Sequence, residues 1–291
     1  MRVLRKLMPF IAAAALFIPC FALDWPVAKR IVTGSFGEDR GGHFHAGIDI
    51  GGGEQDIRPI LAGELVFRYD ENVDYTSVPR GVGTFAALQH ADNILSIYCH
   101  MKTGSVPADR TQFAAVDRLG IVGDTGYSEG KHLHIEIFDR ETVSFLNPLS
   151  ILPPLPDREP PVIKRILLLI RDRTIVLESG VSVPAGQGTI MAEIYDPRED
   201  VRFLWPMAPY RIRMAVNGKE TSKIVFDSLY VKDGVSMIGG VGIGAAALYA
   251  GDRLILCGTI ELRGGESHLL LAARDFAGNE TVRELFISTV E

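Results

Sequence analysis

The stretch His132-Leu133-His134-Ile135-Glu136-Ile137-Phe138 alternates polar and apolar side chains with period two, which restricts it to a half-buried β-strand. Such a strand puts His132, His134 and Glu136 on one face and sends Leu133, Ile135 and Ile137 into the core. If Phe44 to Ile50 is also extended, His45, Gly47 and Asp49 point one way while Phe44, Ala46, Ile48 and Ile50 point the other. In Ile94 to His100 the same parity groups Ser96, Tyr98 and His100 and sends Cys99 to the opposite, apolar side, making it a poor metal ligand. Further alternating segments, Ile60 to Tyr69 and Thr84 to His90, are divided by Gly-rich turns. The first half of the chain therefore reads as β-rich, with polar strand faces that can converge.

Pro153, Pro154, Pro156, Pro160 and Pro161 crowd together, with Asp157, Arg158 and Glu159 between them. Prolines at this density neither pair in a sheet nor continue a helix, so residues 151–161 read as a semi-rigid linker. Few contacts are expected to cross it, and residues 162–291 are expected to fold alone. Beyond it, Val162 to Ile170, Thr174 to Glu178, Thr189 to Tyr195, Tyr210 to Val216, Leu254 to Leu262, His268 to Arg274 and Glu280 to Ser288 read as seven short strands. Asn217-Gly218 is a hairpin turn between two of them. Seven such strands predict a β-sandwich, and the Gly/Ala-rich Gly239 to Gly251 reads as a weak strand or loop. The fold class is mainly β.

At 291 residues and 47% hydrophobic content, the chain can bury a sizeable core and is long enough for about two domains. Arg2, Arg5 and Lys6 precede the apolar run Leu7 to Phe21 and the small Ala22, which reads as a secretory signal peptide cleaved after Ala22. The run is shorter than the ~18–20 residues that a spanning helix needs. A periplasmic or secreted location follows; lipidation at Cys20 is the alternative, and Phe17 and Pro19 suit it badly. Without residues 1–22 the chain carries 27 basic against 36 acidic residues, a balance of −9 that argues against nucleic acid and anionic membrane surfaces as partners. Only Cys99 and Cys257 remain, one in each half, so no structural disulfide is expected and the core must supply stability.

Six of the seven histidines fall between His43 and His134. Several imidazoles and a carboxylate at even spacings are what a hydrolytic metal requires. His45-Ala-Gly-Ile-Asp49, Tyr98-Cys99-His100 and Lys131-His132-Leu133-His134-Ile135-Glu136 resemble the three motifs of the lysostaphin-like, LytM-type zinc endopeptidases. The resemblance covers residues 31 to 148; a longer stretch around Asp70 to Val82 and a less regular region near Asp117 to Leu119 depart from it. It implies a peptidase domain over residues 23–150 that holds one zinc per chain on His45, Asp49 and His134. Spacing alone does not say which member of His-x-His takes the metal; that assignment comes from the resemblance. Peptidoglycan cross-links or stem peptides are the implied substrate, attacked by zinc-activated water, with His132 as general base and His100 as stabiliser of the oxyanion, or with these two roles shared or exchanged. Asp275-Phe-Ala-Gly-Asn279 resembles the closing turn of bacterial immunoglobulin-like domains, which implies such a sandwich over residues 162–291 that positions the enzyme on a polymer or a protein partner.

Two other function classes fit parts of the pattern. A non-catalytic activator of a cell-wall amidase would normally have lost ligands, and none is lost here. Gly126-Tyr127-Ser128-Glu129-Gly130 matches the Gly-x-Ser-x-Gly elbow of serine hydrolases, but that elbow needs a helix after the serine, and a strand pattern follows instead. Ser128 therefore reads as a loop residue shaping the substrate groove. Glu136 can either orient a metal-bound imidazole or lie solvated at the strand's end. His43 reads as a rim residue, and His90 and His268 as surface or internally satisfied histidines.

Overall fold

The computed structural model describes residues 23–72, 80–199, 201, 207–251 and 253–290. The segment read as a signal peptide, with Cys20 in it, lies outside these residues, as do residues 73–79 of the Asp70 to Val82 stretch. Strands dominate, as the alternation predicts. Among the described residues the helical pieces are the single turns Arg80–Val82, Pro148–Ser150 and Ala245–Leu248. The last corrects the reading of Gly239 to Gly251 as weak strand or loop: the run of three alanines and a leucine has high helix propensity, and the turn ends at Tyr249, where the backbone returns to an extended conformation.

A ten-stranded sheet organises the first half. Its main path runs Val235–Ile238, Ser228–Lys232, Ser144–Leu146, Leu133–Asp139, Ile94–Met101, Thr84–Gln89, Gly63–Tyr69 and Gln112–Phe113. Gly47–Ile50 pairs with the start of Leu133–Asp139, on the same edge that Ser144–Leu146 uses further along, and Val32–Gly34 lies outside it. The predicted apolar positions form the buried face: Ile48, Ile50, Leu133, Ile135 and Ile137 have no exposure. Removing such side chains from water is the main drive for the sheet to form.

Two strands of this sheet come from beyond the proline segment. Ser228–Lys232 lies antiparallel to Ser144–Leu146, with Leu229 opposite Phe145, and turns into Val235–Ile238. The Asn147 N–H donates to the Asp227 carbonyl at 2.8 Å and its Nδ2 to the Phe226 carbonyl at 2.8 Å. The expectation that few contacts cross the linker is thereby corrected. Prolines prevent pairing within their own segment, but they leave a later hairpin free to cover an exposed sheet edge.

The rest of the C-terminal half forms two sheets. Arg173–Val176, Val162–Ile170, Gly186–Tyr195 and Leu254–Leu262 make one; Ser182–Pro184, Glu280–Val290, Gly265–Arg274, Arg211–Val216 and Lys219–Val225 make the other. They close on each other where a Cβ at Gly258 would come within 2.7 Å of Met214 in the opposite sheet. The seven expected strands are all present. Asn217-Gly218 turns the chain into Lys219–Val225, a strand whose mostly polar sequence hides it from a hydrophobic reading.

The loop ahead of Gly47–Ile50 is framed by this second half. The Ala208 N–H donates to Ser35 Oγ at 2.9 Å, and the Tyr249 hydroxyl donates to the Gly37 carbonyl at 2.8 Å. Phe226 packs so close under Gly37 that a Cβ there would collide with its ring, and Gly37 holds φ at 85°, where glycine is favoured. No helix among the described residues is long and apolar enough to cross a membrane.

Candidate metal centre

Gly47–Ile50 and Leu133–Asp139 pair with Asp49 opposite His134 and Gly47 opposite Glu136, so these four residues share a face. His45 joins them from the loop, its N–H donating to the Glu38 carbonyl at 2.9 Å. His45 Nε2, Asp49 Oδ1 and His134 Nδ1 converge to within 3.0 Å of one another, and all three side chains are buried. Gly47 permits the approach: a Cβ there would run into the Ile135 carbonyl and come within 2.9 Å of His134 Cε1.

Each of the two rings is fixed from behind. His45 Nδ1 lies 2.8 Å from the Ser35 carbonyl, to which it must donate, so Nε2 carries a lone pair in the neutral ring. His134 Nε2 lies 3.0 Å from Glu136 Oε1, which turns the Nδ1 lone pair toward Asp49. Two such lone pairs and a carboxylate oxygen repel one another unless a proton or a metal cation stands between them, and the N, N, O set suits a borderline-soft divalent ion. Arg40 Nη2 occupies the remaining oxygen of Asp49 at 2.8 Å and also binds Glu38 at 3.0 Å.

The electrostatics point the same way. Burial opposes charge on Asp49, yet the His45 and His134 imidazoles hold its carboxyl well below the usual range. Burial also opposes charge on His134, but hydrogen bonds to Asp49 and Glu136 lift its pKa to about 9. Against its own burial, Glu136 is held below its ordinary value by His134. The pocket thus favours a positive charge at the point where the three donors meet.

His100 and His132 stand beside this set. Their rings are 4.8 Å apart at 52°, and His132 Nε2 is 3.7 Å from Asp49 Oδ1. His132 Nδ1 donates to the Gly130 carbonyl and His100 Nδ1 to the Thr125 carbonyl, each at 2.8 Å, leaving both Nε2 atoms with lone pairs in the neutral rings. Burial pushes the His100 pKa down to about 4, so that ring is neutral at pH 7.

The parity expected for Ile94 to His100 fails at its end. Cys99 lies opposite His134 and so shares the metal face, whereas Ser96 and Tyr98 lie opposite Ile137 and Ile135 in the core. A β-bulge between Tyr98 and Met101, where the register against Thr84–Gln89 slips, carries His100 to the same side as His134. His100 adopts φ 55° there, an uncommon conformation for a non-glycine residue, and the Gly123 N–H braces its carbonyl at 2.9 Å. Cys99 is not in the converging donor group, and burial, reinforced by Glu136 and Asp49, raises its thiol pKa well above the ordinary value.

The other candidates separate cleanly. Ser128 Oγ donates to the Gly130 carbonyl at 2.7 Å and lies 3.2 Å from His132 Nδ1, on a loop followed by a strand. His43 is exposed. His90 is buried and satisfied by the Ala62 carbonyl and Ser96 Oγ, while His268 pairs with Glu284 and stacks on Phe286. Glu136 orients His134 rather than lying in solvent.

The profile of peptidase family M23 matches residues 43–148, the span that holds all five of these histidine and aspartate positions. Within the histidine-bearing half, residues 43–148 thus match the peptidase family M23. A second profile, which carries no descriptive name, matches residues 160–289. The murein hydrolase activator NlpD of Salmonella dublin is 32% identical over 136 residues, 46% of this chain and 32% of that protein. The DD-carboxypeptidase/endopeptidase Mpg of Neisseria meningitidis serogroup B is 28% identical over 115 residues, 39% of this chain and 24% of that protein. The chain thus spans a third or less of these relatives. The solved catalytic domain of lysostaphin from Staphylococcus simulans is similar at 23% identity with a TM-score of 0.30, covering 38% of this chain and 80% of that one.

Sequence reasoning missed four contributors to this site: Ser35, Glu38, Arg40 and Thr125. They lie in loops without periodicity and act through one backbone carbonyl or a partly buried charge. Only the packed fold reveals such roles.

Proposed function

We propose that this chain is a zinc metalloendopeptidase of the cell envelope, periplasmic or secreted, that hydrolyses peptide bonds in peptidoglycan cross-links or stem peptides. One observation carries the reading: the donor set His45 Nε2, Asp49 Oδ1 and His134 Nδ1 is complete, with two further imidazoles beside it. His45, Asp49 and His134 would hold one zinc, with the Ser35 carbonyl and Glu136 fixing the two ring orientations. When bound, zinc supplies Lewis acidity toward water and the scissile carbonyl. His132 takes the water's proton at Nε2, its other nitrogen being committed to Gly130. His100 Nε2 becomes a donor to the developing oxyanion once it gains a proton, so the adjacent rings divide the proton traffic between them.

The similarity to NlpD favours a second reading, a non-catalytic activator of an amidase. Incubation of the full chain with purified sacculi, followed by mass spectrometry of the new termini, separates the two. The peptidase reading expects new peptide-bond termini that disappear with a chelator and return with zinc. Products that form only after an amidase is added, and only by amidase cleavage, would establish the activator reading instead.

A further inference from the structure

Three carboxylates meet where the proline segment passes the C-terminal half. Asp157 comes from that segment, Asp196 from the end of Gly186–Tyr195 and Asp275 from the turn after Gly265–Arg274. One oxygen of each lies within 4.8 Å of the others. Asp275 is 1% exposed, Asp196 8%, and the Asp157 side chain 4%. Arg198 brings one positive charge, its Nη1 3.5 Å from Asp157 Oδ2, while Glu159 adds to the negative field at Asp196. Among the described residues, three carboxylates face the one guanidinium of Arg198, an excess of negative charge in a buried place that is costly unless a cation joins it.

The oxygens are unequally satisfied. Asp275 Oδ1 accepts the N–H groups of Gly278 and Asn279 at 2.6 and 2.8 Å, and its Oδ2 accepts Asn279 Nδ2 at 2.7 Å. Asp157 Oδ1 accepts the Glu159 N–H at 3.1 Å. Asp196 Oδ1, fully enclosed, accepts no hydrogen bond among the described residues. Asp196 and Asp157 line a cavity of about 340 Å³ between the linker and the Ser35-Phe36 segment, which has room for water. Burial, together with the charges of Asp275 and Asp157, pushes the Asp196 carboxyl up to about 8, so in the absence of a cation a proton takes its place at neutral pH.

We propose that Asp157, Asp196 and Asp275 form a second metal site, which binds one calcium-like divalent cation and pins the linker to the C-terminal half. The donors are all oxygen, as a hard cation prefers, and Ca–O distances of about 2.3–2.6 Å let one ion bridge oxygens this far apart. Cavity water completes the coordination. The site holds no imidazole, so it is chemically distinct from the M23 centre.

Equilibrium dialysis of the zinc-loaded full chain against calcium chloride tests this directly, with thermal unfolding as a second readout. The expected result is one saturable calcium per chain and a midpoint that rises with calcium concentration. Both effects should vanish in Asp196→Asn and persist in His134→Ala. If Asp196→Asn does not fold, Asp157→Asn in the linker carries the same comparison. Absence of saturable calcium binding by the wild type would overturn the proposal, as would calcium binding that both variants retain. Tighter binding of magnesium than calcium would overturn the calcium-like assignment.

Discussion

Glu136 Oε1 lies 3.0 Å from His134 Nε2, two residues back along the same strand, and this contact decides which ring nitrogen faces Asp49. Replacing Glu136 with alanine frees the His134 tautomer and removes a buried negative charge beside the centre. Zinc affinity should fall by about 10- to 100-fold, as when other outer carboxylates of metal-bound histidines are lost. Competition against a chromophoric chelator measures it; an unchanged affinity would show that the contact is incidental.

The two members of His-x-His should part company on substitution. His134→Ala is expected to lose bound zinc and peptidase activity together. His132→Ala and His100→Ala should keep zinc near the wild-type level while turnover falls by ~10²- to 10⁴-fold, the usual loss when an acid–base group is removed. Ser128→Ala should change turnover little. Zinc content and hydrolysis of a peptidoglycan-derived peptide, followed in all four, would expose a reversed assignment or a serine nucleophile.

Gly47→Ala puts a methyl group against the Ile135 carbonyl and the His134 ring, so the two strands must separate. Lowered zinc affinity and a reduced unfolding midpoint are expected together. A variant that matched wild type in both would mean that the strands adjust freely.

Acid should destabilise the fold partly through His90. Burial lowers its pKa below 6.5, so the unfolded chain binds more protons between that lowered value and 6.5. Its contribution is therefore fully present above pH 6.5 and declines as the pH falls toward the lowered value. Urea unfolding at several pH values should show a steeper acid loss for wild type than for His90→Gln, with the shared metal centre cancelling from the comparison. Parallel pH profiles would contradict the argument.

Much of this was legible in the sequence because period-two alternation is a physical requirement of a one-sided sheet. Val162–Ile170 and Leu254–Leu262 run where their β-branched and leucine content places them, and Asp49 and His134 share a face because residues at even spacing must. His100 was assigned to the right site by the wrong parity. A single bulge reverses the face of every residue beyond it, and no side-chain pattern marks the insertion. The hairpin at Ser228–Ile238 escaped because its strands are short and half polar, and because crossing to another sheet is a tertiary event.

The first half alone should hold its site poorly. Tyr249→Phe removes the hydroxyl that holds the Gly37 carbonyl and should cost about 1 kcal/mol of stability, more if the carbonyl stays buried and unpaired. A chain ending at residue 150 loses that contact, the Ala208 bonds to Ser35 and the edge hairpin at once. Its unfolding cooperativity and zinc affinity should both drop well below those of the full chain; equal values would show that the frame is dispensable.

That frame also has a consequence in time. Gly37 and Tyr249 are separated by 212 positions, and Ser35 and Ala208 by 173. Chains are made from the N-terminus, so the loop that presents His45 emerges early and waits for partners made near the end. A truncated or half-made chain would carry all five histidine and aspartate positions of the site without the contacts that hold the first of them. Completion of the polypeptide is thus a checkpoint on the candidate centre, whose full set of supporting contacts exists only once the whole chain has been made.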